Sequence, residues 1–224
     1  MSNFKLKMPG KFPLAPFMAV QERVAKYNDS NSHEFRQYAA AWNGIAWRMR
    51  ASTELAASLE KHLASVAAPK VTVVERYLEE RDLYGFFVNG VSAIDNYFYC
   101  AHAMASILEP AAFRIQTGDD MRNATPTAVG LRFWTHYPNE EITAAMIGVL
   151  GSVDWSEWHE IRNLLGHRGS PGRDAFVGGD NDGEVLWAKG IPIAPGMTTG
   201  RQSWLYTALT LLLEGAARFA ADHL

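Results

Sequence analysis

Arg162, Asn163 and His167 stand close together in the stretch EIRNLLGHRG, residues 160–169. A guanidinium group keeps its charge and binds phosphate through a fork of N–H donors. An imidazole titrates near neutral pH and can take or give a proton. These residue types therefore suit a site that handles a phosphate. They equally fit an ordinary helix end, where a basic residue lies near the last carbonyls and a glycine stops the helix.

On a helical wheel the stretch has one polar and one apolar side. The polar side carries His159, Arg162, Asn163, Gly166 and His167, and the apolar side Trp158, Ile161, Leu164 and Leu165. Gly166 lies between Arg162 and His167, and a missing side chain there lets a ligand approach the backbone. The alternative is that Gly166 begins the helix stop that Gly169 completes.

A second polar face lies in FFVNGVSAIDNYFYCAHAM, residues 86–104, a segment otherwise so aromatic that we expect a central helix. The polar residues on its one side are Asn89, Ser92, Asp95, Asn96, Tyr99 and His102. An unpaired buried polar group costs roughly 1–3 kcal/mol. This face must therefore meet solvent, structural partners, another subunit or a site.

The elements that position both faces are helical. Patterns free of proline predict one long helix from about Ser32 to Pro69 and a second from about Val71 to Leu108. Shorter helices are expected after Pro126, over 139–150 and, for the polar motif, over 155–167, followed by a C-terminal helix over 201–224. The sequence thus predicts an all-α helical bundle with two long antiparallel helices, a motif helix, a long irregular insertion and a C-terminal helix.

Two segments fall outside this helical pattern. Residues 1–30 are expected to form an irregular arm, with prolines at 9, 13 and 16. Residues 168–200 are rich in Gly and Pro and are expected to be a non-helical insertion, with a small hairpin turning at Asp182–Gly183. We assign the whole chain, 1–224, to one domain.

Composition limits the classes of function. The net charge of −3 excludes a general basic surface for nucleic acid, so any RNA contact must come from a local cluster. The single cysteine, Cys100, excludes an intramolecular disulfide and a multi-cysteine zinc site. The amino terminus does not read as a signal peptide, and no stretch is apolar enough to span a membrane. We therefore expect a cytoplasmic protein.

The string IRNLLGHRG resembles the signature of the HEPN superfamily, all-α proteins named for higher eukaryotes and prokaryotes nucleotide-binding. The family pattern is an arginine, a polar residue that is often asparagine, a few more residues and then a histidine near the end of a core helix. Arg162, Asn163 and His167 match it. Enzymes of this family are metal-independent endoribonucleases, often toxins or antiviral effectors.

The resemblance implies a role for each motif residue. His167 is expected to transfer protons, Arg162 to bind the scissile phosphate and Asn163 to orient one of them. Dimerisation supplies the second histidine, so a homodimer without cofactor is expected, with RNA or a nucleotide as ligand and an antitoxin or nucleotidyltransferase as partner protein.

Further residues are expected to support this site. We expect Asp95 to fix Arg162 or His167, and His159 and Gly166 to lie beside them. Arg168 and Arg173 follow the motif and are expected either to extend the basic cluster along an RNA backbone or to be merely solvated.

Two other functions remain open from the residues. A non-catalytic HEPN module for dimerisation or nucleotide binding fits the negative net charge and the lack of a basic stripe. A metal-dependent helical-bundle hydrolase or oxidase fits seven histidines and the Asp95/His102 spacing. The usual Glu-x-x-His ligand pair of such bundles does not occur in the sequence.

Overall fold

The structure is a computed structural model that describes residues 7–27, 32–65, 72–167, 172–175, 185–187 and 190–224. Its helices are α1 (Leu14–Tyr27), α2 (His33–Ser65), α3 (Val73–Leu108), α4 (Gly118–Arg122), α5 (Pro126–His136), α6 (Glu141–Leu150), α7 (Val153–His167) and α8 (Thr199–His223). The predicted all-α bundle is confirmed. Within the described ranges, no helix is both long and apolar enough to cross a bilayer.

Helices α2 and α3 form the antiparallel pair at the centre of the bundle. Gly44 of α2 lies against Asn96 of α3, and Ser52, further along α2, donates its hydroxyl to the carbonyl of Phe86, which lies earlier in α3. A Cβ atom at Gly44 would lie 2.3 Å from the Asn96 amide nitrogen. Glycine at this point therefore allows the two helices to approach closely. The two predicted long helices are confirmed.

The predicted irregular arm over 1–30 is wrong for residues 14–27, which form α1. Phe17, Val20 and Val24 follow a helical period and are buried, and the Phe17 ring stacks on Trp42 of α2 with centroids 4.6 Å apart. The prolines at 9, 13 and 16 were the reason for predicting an irregular chain here. Pro16, however, lies in the first helical turn, where its missing N–H interrupts no hydrogen bond.

The insertion between α7 and α8 contains a small antiparallel sheet. Its strands are β1 (Asp174–Ala175), β2 (Val185–Trp187) and β3 (Ile191–Pro192), in the order β1-β2-β3. β1 and β2 pair as a hairpin within the predicted segment, with Ala175 opposite Val185. The predicted turn at Asp182–Gly183 lies outside the described residues.

The carboxylate of Glu60 fastens the end of the insertion to α2. It accepts hydrogen bonds from the backbone N–H groups of Gly196 and Thr198, at 2.6 and 2.9 Å, and from the Thr198 hydroxyl at 2.6 Å. Partial burial opposes ionisation of Glu60, but these three donors outweigh it and hold its pKa below the ordinary value. The ionised carboxylate thus stabilises the chain just before α8.

The three hydrogen bonds to Glu60, called the clamp below, predict that the free energy of unfolding depends on pH. The pKa of Glu60 is lower in the folded chain than in the unfolded chain. The contribution of the Glu60 carboxylate to the free energy of unfolding is therefore complete above about pH 4.3 and declines as the pH falls through the folded pKa. Glu60→Gln should lower the free energy of unfolding at neutral pH by about 1 kcal/mol after solvent screening. Urea denaturation should show the gap between wild type and variant narrowing at about pH 3. A gap independent of pH would contradict the clamp.

Candidate active site

A notch in α3 determines how α7 sits on the bundle. A Cβ atom at Gly90 would lie 2.2 Å from the Trp158 ring, so only glycine leaves room for this indole. Trp158 is 1% exposed, and its ring centroid lies 4.9 and 5.0 Å from those of Phe86 and Phe87. Ile161 is buried on the same side. The polar side of α7 must therefore turn away from the core.

Hydrogen bonds at the other side and end of α7 hold it in this orientation. The Arg201 guanidinium of α8 donates to the Glu157 carboxylate at 2.9 and 2.6 Å. The Ser152 hydroxyl accepts the Trp155 N–H at 3.1 Å and so satisfies one of the free donors at the helix start. Burial and polar contacts together fix the rotation of α7.

The structure brings Arg162 of α7 and Asp95 of α3 together, as the sequence suggests. Arg162 Nη2 donates to Asp95 Oδ2 at 3.3 Å, and the side chains are 32% and 33% exposed. A guanidinium has five N–H donors. Among the described residues, only Nη2 of Arg162 has a hydrogen-bond partner. The group is thus held in place and keeps donors for a ligand.

The environment of Asp95 favours its neutral form more than water does. Burial raises the pKa of Asp95, and the nearby Arg162 guanidinium and His159 ring offset this only in part. Asp95 Oδ1 is buried and accepts no hydrogen bond from any described residue. The carboxylate therefore depends on Arg162 for its main stabilising contact.

Asn163 contacts His159, one helical turn before it. The Asn163 amide nitrogen lies 3.2 Å from His159 Nδ1. Because the amide N–H can only donate, Nδ1 accepts and the neutral ring carries its proton on Nε2. Among the described side chains, Asn163 thus orients His159. The family resemblance implies instead that Asn163 orients Arg162 or His167.

The end of the motif lies at the limit of the described chain. α7 ends at His167, and the His167 side chain and Arg168 lie outside the described residues. Gly166 is exposed, and an added Cβ atom there would meet no atom within 4 Å. Among the described residues, packing therefore does not require glycine at this position.

The Arg173 side chain does not take the position that the sequence predicted, which was beside an RNA backbone or in solvent. Its side chain is 5% exposed and donates to Glu79 at 2.5 Å and to Glu80 at 2.9 Å, both on α3. The predicted phosphate contact is therefore wrong for this conformation, because both acidic residues already neutralise the guanidinium. Arg173 instead fastens β1 to α3.

Three other polar residues of this face of α3 have partners within the chain. Tyr99 donates to Gln37 at 2.7 Å, and Asn89 accepts from Arg48 at 3.0 Å. His102 Nε2 donates to the Arg114 carbonyl at 2.9 Å, while Arg132 lies 3.5 Å from Nδ1. Both His102 nitrogens thus face protein groups and leave none for a metal. Among the described residues, no three His, Cys, Asp or Glu side chains form a metal-binding group.

Sequence reasoning missed the residues of α2 that border this polar face. Arg48 contacts Asn89, and Trp47 beside it is exposed. Their position depends on the register between α2 and α3, which no local pattern reveals.

No protein-family model, curated protein or solved structure matches this chain. The HEPN resemblance therefore depends on the α7 motif and on the all-α architecture.

The notch at Gly90 predicts opposite effects of two glycine-to-alanine changes. Gly90→Ala forces the Trp158 ring aside and should lower the free energy of unfolding by about 1–3 kcal/mol. Gly148→Ala, on an exposed face of α6 with no atom within 4 Å of the new Cβ, should raise it by about 0.5–1 kcal/mol. Urea denaturation of both variants measures these changes. Equal stabilisation by the two substitutions would show that Trp158 does not need the notch.

Proposed function

We propose that this protein is a HEPN-like, metal-independent endoribonuclease in which Arg162 binds the scissile phosphate and His167 transfers protons. The observation that supports this proposal best is the position and exposure of the Arg162 side chain. Asp95 holds its guanidinium from one side, about a third of the side chain is exposed, and most of its N–H donors have no partner among the described residues. A fork held in this way suits a phosphate oxygen pair.

The proposed reaction is an internal transesterification of RNA. The 2′-oxygen attacks phosphorus, its proton passes to a base, and the bond to the 5′-oxygen breaks as an acid protonates that oxygen. The products are a 2′,3′-cyclic phosphate and a 5′-hydroxyl. Arg162 stabilises the negative charge that grows on the phosphorane. His167 serves as acid or base because imidazole exchanges protons near neutral pH.

Two proton transfers need two groups, and the motif contains one histidine at its end. In the proposal a homodimer brings two copies of α7 together, and each supplies one His167. Asp95 is a positioning residue that keeps the guanidinium fork in register, and Asn163 orients His159 beside it. An antitoxin or nucleotidyltransferase partner and a cytoplasmic location belong to the same proposal.

A second candidate is a non-catalytic module that binds nucleotides or pairs subunits. It is supported by the local charge balance. Asp95 balances the charge of Arg162, and Arg173 is buried in ion pairs with Glu79 and Glu80, so neither described arginine adds excess positive charge to the surface. Such a module binds phosphate groups without cleaving RNA.

Cleavage assays on motif variants decide between the two functions. His167→Ala should fold normally and lose cleavage by about 100- to 10,000-fold, the contribution of a general acid or base. Arg162→Ala should lose a similar factor, and the double variant should be little worse than either single one. The measurement compares product formation from mixed RNA in chelator, together with melting temperatures.

A matched control is Arg218→Ala, an exposed arginine of α8 paired with Glu141. It should cleave as the wild type does. Equal cleavage by wild type and His167→Ala would overturn the assignment of His167, and absence of cleavage by the wild type would favour the binding module.

A further inference from the structure

A surface groove of about 440 Å³ lies between α2 and α3, on the side that carries the polar face of α3. Its lining residues are Ala40, Gly44, Trp47, Arg48, Ala51, Asn89 and Asn96. Trp47 is 63% exposed, although the same helix buries Trp42 and Ile45 in the core. The groove thus combines an exposed aromatic ring, two amides and a positive charge.

Small residues of α2 create the space. Ala40, Gly44 and Ala51 recur on one helix face, and the Asn96 amide lies where a side chain at Gly44 would be. The Arg48 guanidinium donates to Asn89 Oδ1 at 3.0 Å, and the Asn89 amide donates to the Gly85 carbonyl at 2.7 Å. The polar groups of the groove are therefore held by the helices.

The groove and the site on α7 share helix α3. Asn89 and Asn96 belong to the same face of α3 as Asp95, and that face has an arginine at each border. Arg48 contacts it from α2, and Arg162 contacts it from α7. Asn89 and Asp95 are six residues apart, about 9 Å along the helix axis, which one nucleic-acid strand can span.

We infer that this groove binds an unpaired base of the same RNA strand whose phosphate contacts Arg162, an inference that rests on the proposed function. Trp47 stacks on the base, and the amides of Asn89 and Asn96 hydrogen-bond to its edge. Arg48 binds the neighbouring phosphate. Because a stacked base must be splayed out, the ligand is single-stranded RNA and not a duplex.

Binding of a short, labelled single-stranded RNA of mixed sequence, followed by fluorescence anisotropy in chelator, tests the groove. All forms carry His167→Ala so that the RNA stays intact. Trp47→Ala should weaken binding roughly 5- to 150-fold, the loss of one base–aromatic stack. Trp47→Phe should recover part of it. Arg48→Gln should weaken binding and reduce the slope of log affinity against log salt by about 1.

Trp134→Ala is the matched control, since Trp134 is 55% exposed on α5 and does not line the groove. It should bind RNA as the His167→Ala form does. The Trp47 variants should keep the melting temperature of that form, because the ring lies at the surface. Duplex RNA of the same sequence should bind more weakly and be insensitive to Trp47.

The possible failures are distinguishable. If Trp47→Ala left affinity unchanged while Arg162→Ala weakened it, the groove would be overturned and the proposed function would stand. If Trp47→Ala weakened single-stranded and duplex binding equally, base stacking would be overturned. If the His167→Ala form bound RNA through Trp47 but the wild type cleaved none, the groove would be supported and the nuclease overturned. No RNA binding by any form would overturn both.

Discussion

The contact of Trp158 with the backbone of α3 at Gly90 is the constraint on which the candidate site depends. Burying an indole stabilises the fold by about 4–6 kcal/mol. The Trp158 N–H is buried and has no hydrogen-bond acceptor among the described residues, a cost of about 1–3 kcal/mol. Packing therefore outweighs the polar cost and sets the rotation of α7. With that rotation, Arg162 reaches Asp95 and the polar side of α7 stays accessible.

The polar face of α3 combines structural and available groups. Tyr99 and His102 are hydrogen-bonded to other parts of the chain, and burial lowers the pKa of His102 so that its ring stays neutral. Asp95 differs, because burial raises the pKa of its carboxyl and one of its oxygens has no donor among the described residues. Of the groups on this face, the Asp95 carboxyl, which lies nearest α7, is therefore the one that a bound phosphate affects most.

Local sequence patterns predicted the features that depend on helical period, namely which residues share one side of a helix. The period of α7 separated Trp158 and Ile161 from Arg162, and the polar face of α3 indicated Asp95 as a neighbour for the motif. The prolines around α1 concealed its buried residues, because a proline in a first turn looks like a break. The contacts of Arg173 and Arg48 depend on the fold of the insertion and on the register of α2 with α3. Those are tertiary properties that neighbours along the sequence do not encode.

In the proposed reaction, the site on α7 cleaves RNA by attack of the substrate's own 2′-oxygen. The most direct test gives the wild-type protein an RNA that it cleaves at one position and the same RNA with a single 2′-deoxy nucleotide immediately 5′ to that bond. Cleavage at that position should disappear in chelator while the binding affinity stays nearly unchanged. Continued cleavage of the deoxy substrate at the same bond would contradict it, because the attacking oxygen would then have to come from water.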